Sequence, residues 1–241
     1  MHIHLPKVPH SWRELAREVA IIVMGVLIAL FLEQLVEEWH WRQKVSTAEA
    51  AMRRELLEDD GPQIYQRAAI HPCVVATLDA IRSAIESGND RKKIAGATDK
   101  YWMDFRSYDR LALDAATASD VASHMPREKL DGMTDVYETM PLIERTNAAE
   151  ATDFGRLRAF RRTGGPVSDE EKDRLLAAVE ALRSDDENIW LKARTKLPEL
   201  RKIGPLDGTR LDYFMTNARD HYGTCVRDLP ENFPDNLTRE S

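Results

Sequence analysis

Two cysteines, Cys73 and Cys225, are the residues of this sequence best suited to form a covalent bond with each other. They are too few for a disulfide scaffold, and their spacing is wrong for a structural zinc site. Two cysteines far apart in a chain can still close one long loop, and an oxidising compartment favours that bond. If the domain that carries them is exported, we expect a Cys73–Cys225 disulfide. The alternative is two buried, unpaired thiols.

Metal and acid–base chemistry find little support in the sequence. His2, His4 and His10 could gather a metal ion, but three histidines ahead of the first predicted helix offer no rigid ligand geometry. The acidic runs Asp59–Asp60 and Asp185–Glu187 are typical of helix ends or solvated faces. The chain lacks a glycine-rich phosphate loop, a Gly-x-Ser-x-Gly elbow and a His-Glu-x-x-His motif. We therefore predict no catalytic residue, no cofactor and no metal site.

Composition limits the class of protein. An apolar fraction of 43% is normal for a globular protein and excludes a polytopic membrane protein, and 31% of charged residues suits exposed helices. The net charge is −7, whereas a nucleic-acid binder normally carries a basic stripe. Only short basic clusters occur, such as Arg91–Lys93 and Arg161–Arg162. We therefore expect no nucleic-acid partner.

One uninterrupted apolar run extends from Val19 to Leu32. As a helix its roughly 14 residues cover about 21 Å, less than a hydrocarbon core of about 30 Å, so the flanks must decide its role. Ser11 and Glu14 form a capping box, which predicts a helix from Trp12 onwards. No helix breaker follows until Gly61-Pro62. The predicted helix is therefore far longer than a core helix.

Tryptophans flank this run at the spacing of the two aromatic belts of a bilayer. Trp12 precedes the run, and Trp39 and Trp41 follow it; Trp12 and Trp39 are about 40 Å apart along a helix. We therefore predict a transmembrane anchor over residues 12–42, with these three tryptophans as interface anchors in a lipid bilayer. The alternatives are a buried core helix and a cleaved signal peptide, although no small-x-small cleavage site follows the run.

Basic residues near the run favour one orientation in the membrane. Lys7, Arg13 and Arg17 precede it together with the amino terminus, whereas Arg42 and Lys44 follow it. Cytoplasmic flanks carry the excess of Lys and Arg in membrane proteins. The bias predicts that the N-terminal segment 1–11 is cytoplasmic and that the large C-terminal domain is exported.

One face of the predicted anchor combines small residues with carboxylates. Gly25 and Ala29 form a small-xxx-small pair, which lets another backbone approach closely. A carboxylate near hydrocarbon is costly unless it is paired or hydrated, so the face predicts docking on another membrane helix, from a foreign subunit or a second copy. The alternative is that Glu18 and Glu33 lie at head-group level and Gly25 is incidental. The predicted docking face comprises Glu18, Ile22, Gly25, Ala29, Glu33, Val36 and His40.

The remainder of the chain predicts helices, because no alternating strand pattern occurs. We expect an all-α protein in which the transmembrane helix continues into an antiparallel helical bundle over residues 43–229, followed by a polar tail over 230–241. Pro72 should kink or split the second helix. The first expected helix continues from the membrane to about Asp59. Five further helices are expected over residues 62–87, 107–124, 126–162, 168–197 and 207–222. Ser168 opens one of them with a capping box, and Asp207 caps the last.

The opening of the chain carries three connected motifs. They are His2-x-His4-Leu5-Pro6-Lys7, then Glu18-Val19-x-Ile21-Ile22-Val23-x-Gly25-Val26-Leu27-Ile28-Ala29-Leu30, and then Trp39-His40-Trp41-Arg42. Over about the first 45 residues the chain resembles an uncharacterised family of bacterial single-pass inner-membrane proteins. The resemblance implies an N-terminal anchor, a helical extramembrane domain and a bacterial envelope location. It carries no activity, and so it implies no catalytic residue.

These observations favour a non-catalytic, membrane-anchored interaction protein that acts as an accessory, assembly or scaffold subunit of a larger membrane complex. A second hypothesis is a homo-oligomeric envelope sensor or ligand-binding protein with an exported helical domain. An enzyme of unfamiliar type is a third, and it would need a deep pocket with convergent histidine and carboxylate side chains.

Overall fold

The computed structural model describes residues 12–103, 106–160, 165–230 and 233. Every regular element in these residues is helical, which confirms the all-α expectation. A π-helical turn, Glu55–Asp60, joins the first two helices, and short 3-10 turns follow the fourth and eighth. The helices are α1 (Trp12–Arg54), α2 (Gly61–Glu86), α3 (Arg91–Thr98), α4 (Leu111–Ala118), α5 (Arg127–Tyr137), α6 (Met140–Phe160), α7 (Asp169–Ile203) and α8 (Gly208–Tyr222).

The chain divides into two compact units, Met1–Thr47 and Ala48–Ser241. We call the described part of the first, residues 12–47, the anchor unit, and the second the helical unit. The anchor unit is one stretch of α1. Its apolar window is long and apolar enough to cross a membrane, and none of that window is buried.

The helical unit is built around α7. This helix packs against both α2 and α6, and α8 packs against α2. Apolar residues recur every three or four positions along α7, as a helix with one buried face requires. The core contains Leu78, Ile81 and Ile85 of α2, Leu157 and Phe160 of α6, Leu175, Val179 and Leu182 of α7, and Met215 and Ala218 of α8.

Two predicted helix starts are confirmed by the cap geometry. The Ser168 hydroxyl accepts a hydrogen bond from the Glu171 backbone N–H at 3.2 Å. The Asp207 carboxylate accepts one from the Arg210 backbone N–H at 2.7 Å. Each side chain satisfies a backbone donor that the first turn of a helix leaves without an intrahelical partner.

Other helix boundaries differ from expectation. The chain between Asp90 and Lys100 was not expected to be helical, yet Asp90 caps α3 by accepting hydrogen bonds from Lys92 and Lys93. The single helix expected over 126–162 is two helices, α5 and α6. Pro72 does not split α2, because the helix continues through it with buried neighbours at Ile70 and Cys73.

Several expectations concern residues outside the described ranges. They are the cytoplasmic segment 1–11 with Ser11 of the capping box, the histidines His2, His4 and His10, the basic pair Arg161–Arg162, and most of the polar tail over 230–241.

Candidate functional site

The predicted docking face lies along the anchor unit, and all seven of its residues are exposed. At Gly25, an added Cβ atom would meet no atom within 4 Å. His40 contacts the ring of Trp39, with ring centroids 5.3 Å apart. The backbone at Gly25 is therefore accessible, and another helix could pack closely against this face.

The other residues of the apolar run Val19–Leu32 are equally exposed. Leu27 is 55% exposed and Phe31 is 60% exposed, on the side away from Gly25. Among the interface tryptophans, Trp12 and Trp39 are exposed, and Trp41 is half-buried with the Lys44 ammonium 4.5 Å from its ring centroid. A soluble chain rarely exposes so large a continuous apolar surface, which normally marks contact with lipid or with another protein.

The two cysteines meet in the helical unit. Cys73 of α2 and Cys225 of the 3-10 turn after α8 form a disulfide, with their Cα atoms 5.7 Å apart. Cys73 is buried, and 152 positions separate the two residues in the chain. The bond joins the middle of α2 to the 3-10 turn that follows α8, and it closes most of the helical unit into one covalent loop.

Acidic and basic side chains lie in the interior of the helical unit. Arg67 of α2 contacts Glu150 of α6 at 3.2 Å and Asp186 of α7 at 3.4 Å, and each of these side chains is at most 1% exposed. The Tyr101 hydroxyl donates a hydrogen bond to the same Glu150 oxygen at 2.7 Å. Three of the core helices, α2, α6 and α7, are thus also joined by a buried ion-pair network.

This network extends towards the surface through His71. Its Nδ1 atom lies 2.7 Å from the second carboxylate oxygen of Asp186, and its ring stacks on Trp190 with centroids 4.7 Å apart. The His71 side chain is 20% exposed, whereas Asp186 is 1% exposed. A buried carboxylate therefore orients a partly exposed imidazole, an arrangement that also occurs in acid–base sites.

The interpretation of Asp185–Glu187 as a solvated face is wrong for Asp186. Helical periodicity could have predicted its burial. Asp186 follows Leu182 by four positions and precedes Ile189 by three, so it lies on the buried stripe of α7. Asp185, at the edge of this stripe, has its pKa raised to about 6 by partial burial and by Asp153 and Glu150.

Two groups at the centre of the network, Arg67 and Tyr101, have raised pKa values. Burial opposes the charge of Arg67, but Glu150 and Asp186 outweigh it, so the pKa of Arg67 is raised. Burial and the Glu150 charge raise the pKa of Tyr101 well above its ordinary value. Arg67 and Tyr101 therefore keep their protons at neutral pH.

A second polar layer holds the non-helical chain after α3 against α2. Gln66 donates a hydrogen bond to the Phe214 carbonyl at 2.6 Å and accepts one from Arg106. Asn147 of α6 donates to the Arg106 carbonyl at 3.1 Å. Sequence patterns did not predict this layer, because its partners lie far apart along the chain.

A groove of about 570 Å³ lies between the end of α6 and the start of α7. Its apolar lining includes Phe160 and Leu175, and Arg156 and Arg174 contribute charge. This volume falls in the range of small-molecule sites. Within the described residues, no group of three or more histidine, cysteine, aspartate or glutamate side chains is arranged to hold a metal ion.

Comparison with known proteins finds no matching family model, no matching curated sequence and no matching solved structure.

Proposed function

We propose that this chain is a non-catalytic, membrane-anchored interaction protein, an accessory, assembly or scaffold subunit that docks on a foreign membrane helix through α1. The observation that carries the proposal is the face of the anchor unit where Gly25 and Ala29 lie in line with Glu18 and Glu33, all exposed. Small residues permit close helix packing. Carboxylates near hydrocarbon are stabilised when a partner supplies a cation or a hydrogen-bond donor.

A foreign partner fits this face better than a second copy does. In a parallel, symmetric pair, Glu18 would approach Glu18 of the copy and Glu33 would approach its counterpart, so like charges would meet near hydrocarbon. A foreign helix with basic or hydrogen-bond-donating side chains at the same levels would pair with both carboxylates. The remaining anchor surface, with Leu27 and Phe31, suits lipid.

We further propose a bacterial inner-membrane location with the N-terminus in the cytoplasm and the helical domain, an antiparallel bundle, in the periplasm. The Cys73–Cys225 disulfide supports export, because disulfides persist in oxidising compartments. The basic residues Arg13 and Arg17 before the apolar run support the same orientation. Alkaline phosphatase fused to the C-terminus should be active in whole cells; an inactive fusion of a stably expressed chain would contradict this topology.

The docking proposal is tested by two single substitutions, each of which replaces a small residue with leucine, one on the docking face and one on the opposite face of the anchor helix. Gly25→Leu fills the docking face, whereas Ala20→Leu adds a similar side chain on the opposite, lipid-facing side. After purification in mild detergent, the wild type and Ala20→Leu should retain one foreign subunit in fixed stoichiometry, and Gly25→Leu should lose at least about 90% of it. Quantitative mass spectrometry of the purified complex measures the ratio.

Retention of the same subunit by Gly25→Leu would refute docking through this face. Association of the chain only with itself would instead favour the second candidate, a homo-oligomeric envelope sensor or ligand-binding protein. The groove near Phe160 and Arg156 is the observation that favours this alternative, because its size and mixed lining suit a small amphipathic ligand.

A further inference from the structure

The π-helical turn Glu55–Asp60 places the Glu55 and Asp60 carboxyl groups next to the chain segment that leads into α4. We call residues 106–112, which comprise the non-helical stretch 106–110 and the first two residues of α4, the strap. Glu55 accepts hydrogen bonds from the strap backbone N–H groups of Leu111 at 2.9 Å and Ala112 at 3.0 Å. It also accepts one from the Tyr137 hydroxyl at 2.7 Å. The Glu55 side chain therefore holds the first turn of α4 in place by accepting from backbone donors that have no intrahelical partner.

The turn has little room to rearrange. Gly61 follows it immediately, and a Cβ atom at Gly61 would lie 2.4 Å from a Leu206 side-chain atom and 2.7 Å from the Leu56 carbonyl oxygen. Leu56 and Leu57 within the turn are both buried. Single π-helical turns inside longer helices occur often at functional sites, because they aim side chains that a regular helix would turn elsewhere.

Asp60, at the end of the turn, has a different environment from Glu55. Its side chain is 1% exposed, and its Oδ2 atom has no hydrogen-bond partner among the described residues. The earlier interpretation of Asp59–Asp60 as a helix end or solvated face is therefore wrong for Asp60. A buried carboxylate with an unpartnered oxygen is costly, whereas the neutral acid avoids most of that cost.

The groups around Asp60 add to this cost. Negative charge predominates, and the cation Arg210 is engaged with Asp59 at 3.2 Å. Arg110, also nearby, contacts Asp114 at 3.5 Å. The titratable groups facing Asp60 or its neighbours are Glu55 and Asp59 from the turn, Tyr108, Asp109 and Arg110 from the strap, Tyr137 from α5, and, through Tyr108, Arg106 of the strap and Arg67 of α2.

Burial is the main reason that the pKa of Asp60 is raised to about 8, followed by the charges of Glu55 and Asp109. A backbone hydrogen bond from Asp109 acts in the opposite direction but does not compensate. This direction agrees with the geometry, in which the ionised form would place a second negative charge close to Glu55.

We infer that the Asp60 carboxyl is a proton-binding site that keeps the strap docked on the π-helical turn while protonated and weakens that docking when it ionises. The protonated acid places no charge beside Glu55, whose carboxylate binds the Leu111 and Ala112 backbone N–H groups of the strap. Ionisation of Asp60 brings two like charges together in a buried place, and opening the strap to water relieves the repulsion.

The sign of the pH dependence follows from linkage. The pKa of Asp60 is higher in the folded protein than its ordinary value of 3.8. Below pH 4 both the docked and the open forms are protonated, so docking is strongest there. As the pH rises from about 4 to 8, the open form loses its proton first, and docking weakens by up to about tenfold per pH unit. Above pH 8 the effect levels off.

Hydrogen exchange of the full-length chain in lipid nanodiscs tests the inference. Protection of the Leu111 and Ala112 amides, corrected for intrinsic exchange, should fall by up to about a hundredfold from pH 6 to pH 8. In Asp60→Asn, which mimics the neutral acid, protection should stay constant over this range. Asp212→Asn, the same change at an exposed carboxylate of α8, should behave like the wild type.

A wild-type protection that does not change between pH 6 and pH 8, or an equal fall in Asp60→Asn, would overturn the inference. Infrared spectroscopy of the wild type provides a second measurement that does not need the variant to fold. A protonated-carboxyl stretching band should be present at pH 7, where Asp185 is mostly ionised, and should disappear by pH 10. Absence of the band at pH 7 would equally refute the site.

Discussion

The anchor unit and the helical unit place polar and apolar side chains in opposite ways. In the anchor unit Leu27 and Phe31 are exposed, and the ion pair Arg42–Glu38 lies on the surface within one turn of a helix. In the helical unit Arg67 and Glu150 are buried, and apolar side chains fill the core around them. Exposed apolar side chains are expected if hydrocarbon solvates the anchor unit, and an apolar core is expected if water solvates the helical unit. This difference in apolar exposure underlies the membrane proposal.

This contrast also separates two sources of stability. The helical unit depends on contacts between residues distant in the chain, which can be removed one at a time. The described residues of the anchor unit lie in a single helix, so we expect substitutions there to change association with lipid or a partner and to leave unfolding of the helical unit unaltered. Paired substitutions in the two units measure this difference.

Removal of the disulfide should have the largest effect on the helical unit. In the chain-entropy model, releasing a loop with a sequence separation of 152 costs about 5 kcal/mol in the free energy of unfolding. Cys73→Ala combined with Cys225→Ala should show this loss in urea unfolding of the full chain in detergent. Dithiothreitol should destabilise the wild type to a similar extent and leave the double variant unchanged. A reductant-insensitive wild type would contradict the role of the bond.

The second-largest destabilisation is expected when the buried cation Arg67 is removed. Arg67→Met leaves Glu150 and Asp186 buried without their counter-charge, and such a change costs about 3–5 kcal/mol. Arg42→Met, the same exchange at the exposed pair of the anchor unit, should cost less than about 0.5 kcal/mol. Urea unfolding followed by circular dichroism measures both variants. If the two substitutions destabilise equally, the proposed difference between the units does not hold.

A smaller effect is expected from a single methyl group. Gly61→Ala would force a Cβ atom against Leu206 and the Leu56 carbonyl, and overpacking of this kind costs about 1–3 kcal/mol. Gly25→Ala meets no atom within 4 Å and should change the unfolding free energy by less than about 0.5 kcal/mol. Thermal unfolding of the two variants compares them directly, and a Gly61→Ala protein as stable as the wild type would show that the turn can relax.

Much of the helical architecture was predictable, because its signals are local. Ser168 and Asp207 cap the helices that their sequence positions suggest. Helix α3 was missed because Ser87-Gly88-Asn89-Asp90 was interpreted only as a stop, although Asp90 also begins the next helix. The division between α5 and α6 was missed although Pro141, the second residue of α6, is typical of the first turn of a helix.

The candidate sites were less predictable. The exposed docking face follows from helical periodicity alone, since one helix determines which of its residues share a side. The buried network does not, because Arg67 meets its partners across sequence separations of 83 and 119 residues. Asp60 looked like an ordinary acidic helix end, and only the packing of the strap over the π-helical turn makes it a buried acid.

The sequence by itself determined the helical class, the cap positions of α7 and α8, and an apolar helix long enough to cross a membrane. Each of these depends on interactions within about one helical turn or on the composition of one segment. The tertiary structure decided which acids lose contact with water, which glycine cannot accept a methyl group, and how Cys73 meets Cys225. These properties depend on surfaces that distant segments bring together, and no local pattern contains that information.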